Sequence, residues 1–273
     1  MAITTIAGAA AGLMATQAFA KAPSVSTASA RHHSMWAVNP RAGSYDTTLA
    51  GVALDGSSTP VTGQIYRTNP ASGSAYLANW ALTCCTANTV NGTAILADRL
   101  WHNGGFTITS TAAQTVNSAA FPARDANGTA NGDGVHLGVE ISAATGAGVP
   151  TITVSYTNQA GTAGRTATNS FPTAASSVAS SFFPIGLQAD DTGVRSVQSL
   201  TLSATWTSGT MNLVAYRPIA CTGAYIGGYP ANIDALGAVM PRIFDGSVPF
   251  GIIISQSSLN GIPLAFKYAE TQG

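Results

Sequence analysis

Apolar and polar residues alternate with a period of two along the middle of this chain, and that is the period of a strand, not of a helix. In Val135-His136-Leu137-Gly138-Val139-Glu140-Ile141, the residues Val135, Leu137, Val139 and Ile141 fall on one face. Thr151-Ile152-Thr153-Val154-Ser155-Tyr156-Thr157 alternates in the same way. After Asn158 to Gly161 the chain returns through Thr162 to Thr168, which predicts a hairpin. Gln198 to Trp206 and Met211 to Tyr216, around Ser208-Gly209, predict a second one. Ile95 to Trp101, Phe106 to Thr109 after Gly104-Gly105, and Phe250 to Ile254 add further strands. Short strands with turn signals at this spacing predict an all-β protein, an antiparallel β-sandwich or jelly-roll-like domain, and not alternating βαβ units.

The flanks read differently. Residues 1–45 predict an extended or partly helical N-terminal arm, with Ile6, Leu13 and Met14 among alanines. Ala18-Phe19-Ala20 before Lys21 imitates a cleavage site, but residues 1–20 carry no Lys or Arg, so the basic region of a signal peptide is missing and a docking arm is expected. Residues 46–92 form a turn-rich extension punctuated by Asp55-Gly56, Asn69-Pro70 and Asn91-Gly92. The β domain is expected over 93–220, with C-terminal strands and an extension over 221–273.

Charge narrows the function. Only 22 of the 273 residues are charged, 11 basic and 11 acidic, where about a quarter is usual for a soluble domain. Ala, Thr, Ser, Gly and Asn stand where Lys and Glu normally would. A surface of that kind is cheap to desolvate and raises little like-charge repulsion, which suits a chain packed against other chains. The basic residues are too few and too scattered for a nucleic-acid face, and no run approaches the ~20 apolar residues of a membrane helix. Neither nucleic acid nor membrane is therefore an expected partner.

Several residue groups could carry chemistry. Asp125, Asn127, Asn131 and Asp133, with Gly128, Gly132 and Gly134, place hard oxygen ligands on a flexible loop, as Ca²⁺ requires. The EF-hand spacing would need a Glu where His136 stands, and Asx-turn chemistry accounts for the same residues without metal. His32-His33, His102 and His136 lack zinc spacing and are expected to be structural or solvent-facing. Cys84, Cys85 and Cys221 have no framework spacing; buried thiols are expected, a bridge from one of the adjacent pair to Cys221 being the alternative. Asp190-Asp191 could be a pair of catalytic carboxylates, but Asp190-Asp191-Thr192-Gly193 also reads as a turn with Arg195 as its pairing residue. No nucleophile elbow is present. The expectation is a non-enzyme with no cofactor.

A resemblance rests on several segments together. They are Asp98-Arg99-Leu100-Trp101-His102-Asn103, Gln114-Thr115-Val116-Asn117-Ser118, Pro122-Ala123-Arg124-Asp125, Ser155-Tyr156-Thr157-Asn158 and Gly161-Thr162-Ala163-Gly164-Arg165-Thr166. Further along come Asp191 to Ser199, Leu213-Val214-Ala215-Tyr216-Arg217, Pro241-Arg242-Ile243-Phe244-Asp245 and Ser247-Val248-Pro249-Phe250. Over about 95–273 the chain resembles a family of structural proteins of tailed double-stranded DNA bacteriophages. The resemblance implies a virion component made in the host cytoplasm, most like a head decoration (cement) protein, with a neck, collar or tail-fibre component as the alternative. A carbohydrate-binding or carbohydrate-active protein is the reading from another class. Expected partners are the major capsid protein or other virion proteins, with self-association, a trimer by preference. Trp36, Tyr45 and Tyr66 are expected to anchor the arm, and Arg165, Arg195 and Arg217 to make strand-flanking interface contacts.

Overall fold

The computed structural model describes every residue except 1–2, 4, 15, 23–29, 39–50, 57–66, 85–91, 170–175, 225–230, 257 and 259–262. The protein is all-β and antiparallel, with one short helix, in the N-terminal arm, among the described residues. In chain order the first elements are α1 (Ile6–Ala11), β1 (Gln17–Lys21), β2 (Arg31–Ser34), β3 (Val52–Ala53), β4 (Ala75–Cys84) and β5 (Gly92–Phe106). Next come β6 (Gln114–Thr115), β7 (His136–Ala143), β8 (Ile152–Asn158), β9 (Arg165–Asn169), β10 (Ser181–Gly186) and β11 (Val194–Leu202). The last are β12 (Thr210–Ala224), β13 (Ala231–Asp234), β14 (Arg242–Ile243), β15 (Pro249–Ser255) and β16 (Leu264–Gln272).

Packing divides the chain into two units. One comprises Met1–Gly43, Gly56–Asp98 and Ile219–Gly273; the other comprises Ser44–Asp55 and Arg99–Pro218. β5 and β12 are long enough, at 15 residues each, to contribute to both.

The first unit is built from the two ends of the sequence. β16 pairs along nearly its whole length with β4, β1 lies on its other side, and β13 and β14 pair with β4. β15 pairs with β2 and with the first half of β5. Trp80, Leu77, Leu82, Leu264, Phe266 and Tyr268 form the centre of its core, with Trp80 and Phe266 stacked at 5.3 Å. The arm is helical at α1, where the Thr5 hydroxyl accepts from the Gly8 amide at 3.0 Å and caps the helix. Its strands β1 and β2 are hydrogen-bonded to the chain's own C-terminal strands, so much of the arm is internal structure. Lys21 makes this plain: its ammonium is buried and donates to the carbonyls of Met35 and Trp36.

The second unit runs β12–β7–β10–β9–β8–β11–β6. The expected hairpin is present: Thr153 faces Thr168 and Tyr156 faces Arg165. Asn158 closes its turn, accepting from the Thr162 amide through its side chain at 2.8 Å and donating its own amide to Thr162. The second expected hairpin does not form. β11 pairs with β8 and β6, while β12 pairs with β7. The reason lies in the link between them. Trp206 is fully buried, its amide donates to Ile108, and Ser203, Thr207 and Ser208 bond to residues 146–151 instead of turning the chain back on β11.

Two more expectations need correction. Gly104-Gly105 does not separate two strands; β5 runs through it. β7 is buried on both faces, not one, because Phe182 lies over Gly138 so closely that a methyl there would meet the ring at 2.2 Å, and Glu140 is enclosed.

Candidate interaction surface

Of the six residues expected at an interface, Trp36 and Arg217 are committed within the chain. Trp36 is 1% exposed and packs edge-on against Phe250 at 6.2 Å, so its indole has no face for a neighbour. Arg217 is buried, its Nε donating to the Arg124 carbonyl at 2.9 Å. Tyr45 and Tyr66 lie outside the described residues. Arg165 is half-buried in an ion pair, and Arg195 is exposed.

Arg165, not Arg195, is the partner of the Asp190-Asp191 turn. Its Nε donates to Asp191 Oδ2 at 2.8 Å and its Nη2 to the Ala189 carbonyl at 2.9 Å. Asn158 Nδ2 donates to Asp191 Oδ1 at 2.6 Å, and the Tyr156 hydroxyl donates to Oδ2. Three donors, led by the Arg165 guanidinium, hold the Asp191 carboxyl at about 2, well below the usual carboxylate range. The same hydroxyl accepts from the Gln188 amide at 3.0 Å. Desolvation and the adjacent carboxylate push the Tyr156 phenol up. Asp190 takes a left-handed φ of 70° to make the turn. Asp191 is thus a hub of accepted hydrogen bonds that fastens the β8–β9 hairpin to the 188–193 turn.

The Asp125 loop is closed by the same chemistry. Asp125 Oδ1 accepts from the amides of Asn127 at 3.0 Å and Thr129 at 2.7 Å. Oδ2 accepts from Thr129 Oγ1 at 2.6 Å and from the amides of Gly132 at 3.0 Å and Asp133 at 3.3 Å. These bonds, foremost that of the Thr129 hydroxyl, outweigh desolvation and lower the carboxyl's pKa. Asn127 Nδ2 donates to Asp133 Oδ2 at 3.1 Å, and Asn131 is exposed. A calcium ion would have to displace five donors from Asp125 alone, so these residues act as an Asx-type loop closure. Among the described residues no three His, Cys, Asp or Glu side chains gather as metal ligands. His33 and His102 are buried, and His32 and His136 half-buried. Cys221 is free and exposed, which corrects the expectation of a buried thiol there. The Cys84 side chain and all of Cys85 lie outside the described residues.

The charges themselves are the main finding. Of the 20 charged residues among those described, nine are buried: Lys21, Arg67, Asp98, Arg99, Arg124, Asp125, Glu140, Arg217 and Glu270. Arg99 and Glu140 meet side by side at 3.0 and 2.8 Å, both fully enclosed. Arg67 grips Glu270 in the same two-pronged way at 2.8 and 3.0 Å and also reaches Asn69 and the Phe244 carbonyl. Asp98 accepts from the Ser247 hydroxyl and the Val248 amide. The surface is therefore poorer in charge than the composition already implies.

Large apolar side chains take up some of that surface. Ile6, the first residue of α1, is 75% exposed and Leu13, two residues past its end, 55%; no residue of the helix is buried. Leu236 and Val239 stand out from the turn after β13, at 73% and 86%. The arm residues were visible as an uncharged apolar run; Leu236 and Val239 sit in a segment with no periodicity, and only the tertiary structure exposes them.

No family model matches the chain, and no curated protein matches it. Among solved structures there is similarity to a structure of infectious bursal disease virus, Gt strain, with TM-score 0.20 and 10% identity, covering 95% of this chain and 82% of that one. A structure of the Gx strain gives TM-score 0.22 and 8% identity, covering 95% and 81%. Likenesses this distant carry no argument about what the chain does.

Proposed function

We propose that this protein is a non-enzymatic structural component of a tailed double-stranded DNA bacteriophage particle, a decoration protein that binds the outside of the head shell and reinforces it. The carrying observation is the distribution of charge: few charged residues, and nine of the 20 described ones turned inward. An outer surface left to Thr, Ser, Asn, Ala and Gly loses little solvation on contact, so repeated shallow interfaces form without unpaired buried charge. The resemblance to phage structural proteins supplies the class. Its segments fall on β5, β6, β8, β9, β11, β12, β14 and β15 and on the turns between strands.

In this reading the major capsid protein is the partner, and a symmetric oligomer, a trimer, is the docking unit. Ile6 of the uncharged helix α1, Leu13 just beyond it, and the Leu236–Val239 turn supply the apolar contacts. Burial of ~800 Å² per partner at each contact, repeated around a shell, adds up to substantial reinforcement. Quantitative densitometry of purified particles against the major capsid protein tests this. Hundreds of copies per particle are expected, and heads lacking the chain should release DNA at a lower temperature. A dozen or a few dozen copies would move the chain to the neck or tail and end the decoration reading.

A further inference from the structure

The outward face of the β9–β8–β11–β6 sheet is a grid of hydroxyls. Ile152, Val154 and Tyr156 of β8, with Ala167, Leu200 and Leu202 beside them, turn into the core and leave the alternate residues outside. The register sets those residues in rows across the strands. Thr168, Thr153 and Thr201 make one row. Thr166, Ser155, Ser199 and Thr115 make the next, with Thr166, Thr168 and Thr115 exposed and the others half-buried. In a third, Gln198 Nε2 donates to Thr157 Oγ1 at 3.2 Å and to Ser196 Oγ at 3.0 Å. No charged side chain interrupts the rows; exposed Arg195 and the Arg165–Asp191 pair stand at one margin.

We propose that this face is a docking platform for a neutral polysaccharide chain. Thr201 Oγ1 already donates to the Thr153 carbonyl at 3.4 Å, and Thr157 and Ser196 accept from Gln198. A hydroxyl has a donor and two acceptor lone pairs, however, and the capacity that remains matches a ligand made of hydroxyls. An anionic or cationic polymer would find no counter-charge within the rows. A lipid or apolar peptide would find no apolar anchor. Strand spacing gives the grid a span of roughly 15 Å by 15 Å, about 200–300 Å². That is well short of the ~800 Å² per partner of a stable protein interface. Rows of hydroxyls that run across four strands also suit an extended polymer. The inference goes beyond the capsid reading and does not rest on it.

Affinity chromatography of the intact chain tests it, with columns of immobilised dextran, mannan and galactan and with alginate as the anionic control. Retardation on at least one neutral column is expected, unchanged by added salt. The triple variant Thr153→Val, Thr166→Val, Thr168→Val keeps the β-branched shape and removes three hydroxyls; it should bind about tenfold more weakly or less, at an unchanged melting temperature. Passage through all three neutral columns without retardation overturns the proposal. So does retardation that survives the triple variant, or binding to alginate alone that Arg195→Gln abolishes. A dimer in sedimentation that the same valines dissociate would assign the face to a second copy instead.

Discussion

At the scale of single residues, this protein uses charge as internal fastening. Asp191 and Asp125 each gather several donors, and both carboxyls are held below the ordinary range, Asp191 at about 2. A carboxyl with a depressed folded pKa contributes stability above its unfolded value, and that contribution is lost as pH falls toward the folded one. For Asp191 the window therefore runs from about 4 down to about 2. Melting temperatures should be nearly flat from pH 7 to 5 and drop below 4. The Asp191→Asn variant should be less stable at neutral pH and should lose less than the wild type on acidification. Thermal melts of both proteins across that range check the expectation; parallel curves would mean that Asp191 is not the titrating hub. The turn at Asp190-Asp191 was legible from residue types, because Asp-Asp-Thr-Gly favours a turn wherever it occurs. Its partner was not. Arg195 is nearer in sequence, but Arg165 arrives from β9 through the hairpin register.

Among the elements, strand identity was more legible than strand pairing. β7 and β8 announce themselves by alternation, and Asn158 with Gly161 closes the β8–β9 hairpin where expected, Gly161 taking a φ of 83° that suits glycine. β4 did not announce itself. Its run Ala-Tyr-Leu-Ala-Asn-Trp-Ala-Leu-Thr-Cys is rich in alanine, and Leu77 and Trp80, three apart, are both buried. A register shift opposite Ala269 and Glu270 leaves Ala78 out of the ladder, which resets the alternation. No one-dimensional period survives such a bulge. Trp206 shows the opposite case, a single side chain overruling a turn signal: Ser208-Gly209 suggests a hairpin, and burial of the indole carries the link elsewhere. Trp206→Ala should therefore destabilise the protein by about 3–5 kcal/mol, read from denaturant unfolding, with Trp206→Phe costing less. A loss near zero would show that the link does not depend on the indole.

For the molecule as a whole, the expectation concerns salt. Surface electrostatics are screened by added ions, while buried pairs such as Arg99–Glu140 and Arg67–Glu270 are screened far less. With nine of the 20 described charges inside, melting temperature and self-association should change little between about 0.05 and 0.5 M NaCl. Differential scanning calorimetry and sedimentation at both ionic strengths give the comparison. A strong fall in association at high salt would show that the exposed charges, Arg195 and Arg242 among them, govern contact.

By itself the sequence determined the all-β class, the helical tendency of the arm, the β8–β9 hairpin and the low charge, because each follows from composition or from periods of a few residues. Only the tertiary structure decided that the two ends of the chain build one unit, with β1 and β4 on either side of β16. It alone placed Trp36 and Arg217 in the interior, paired Arg165 with Asp191, and set separate Thr and Ser residues of β6, β8, β9 and β11 into rows. These are contacts between residues tens to hundreds of positions apart. They are fixed by which apolar faces bury one another, and that competition has no local signature in the chain.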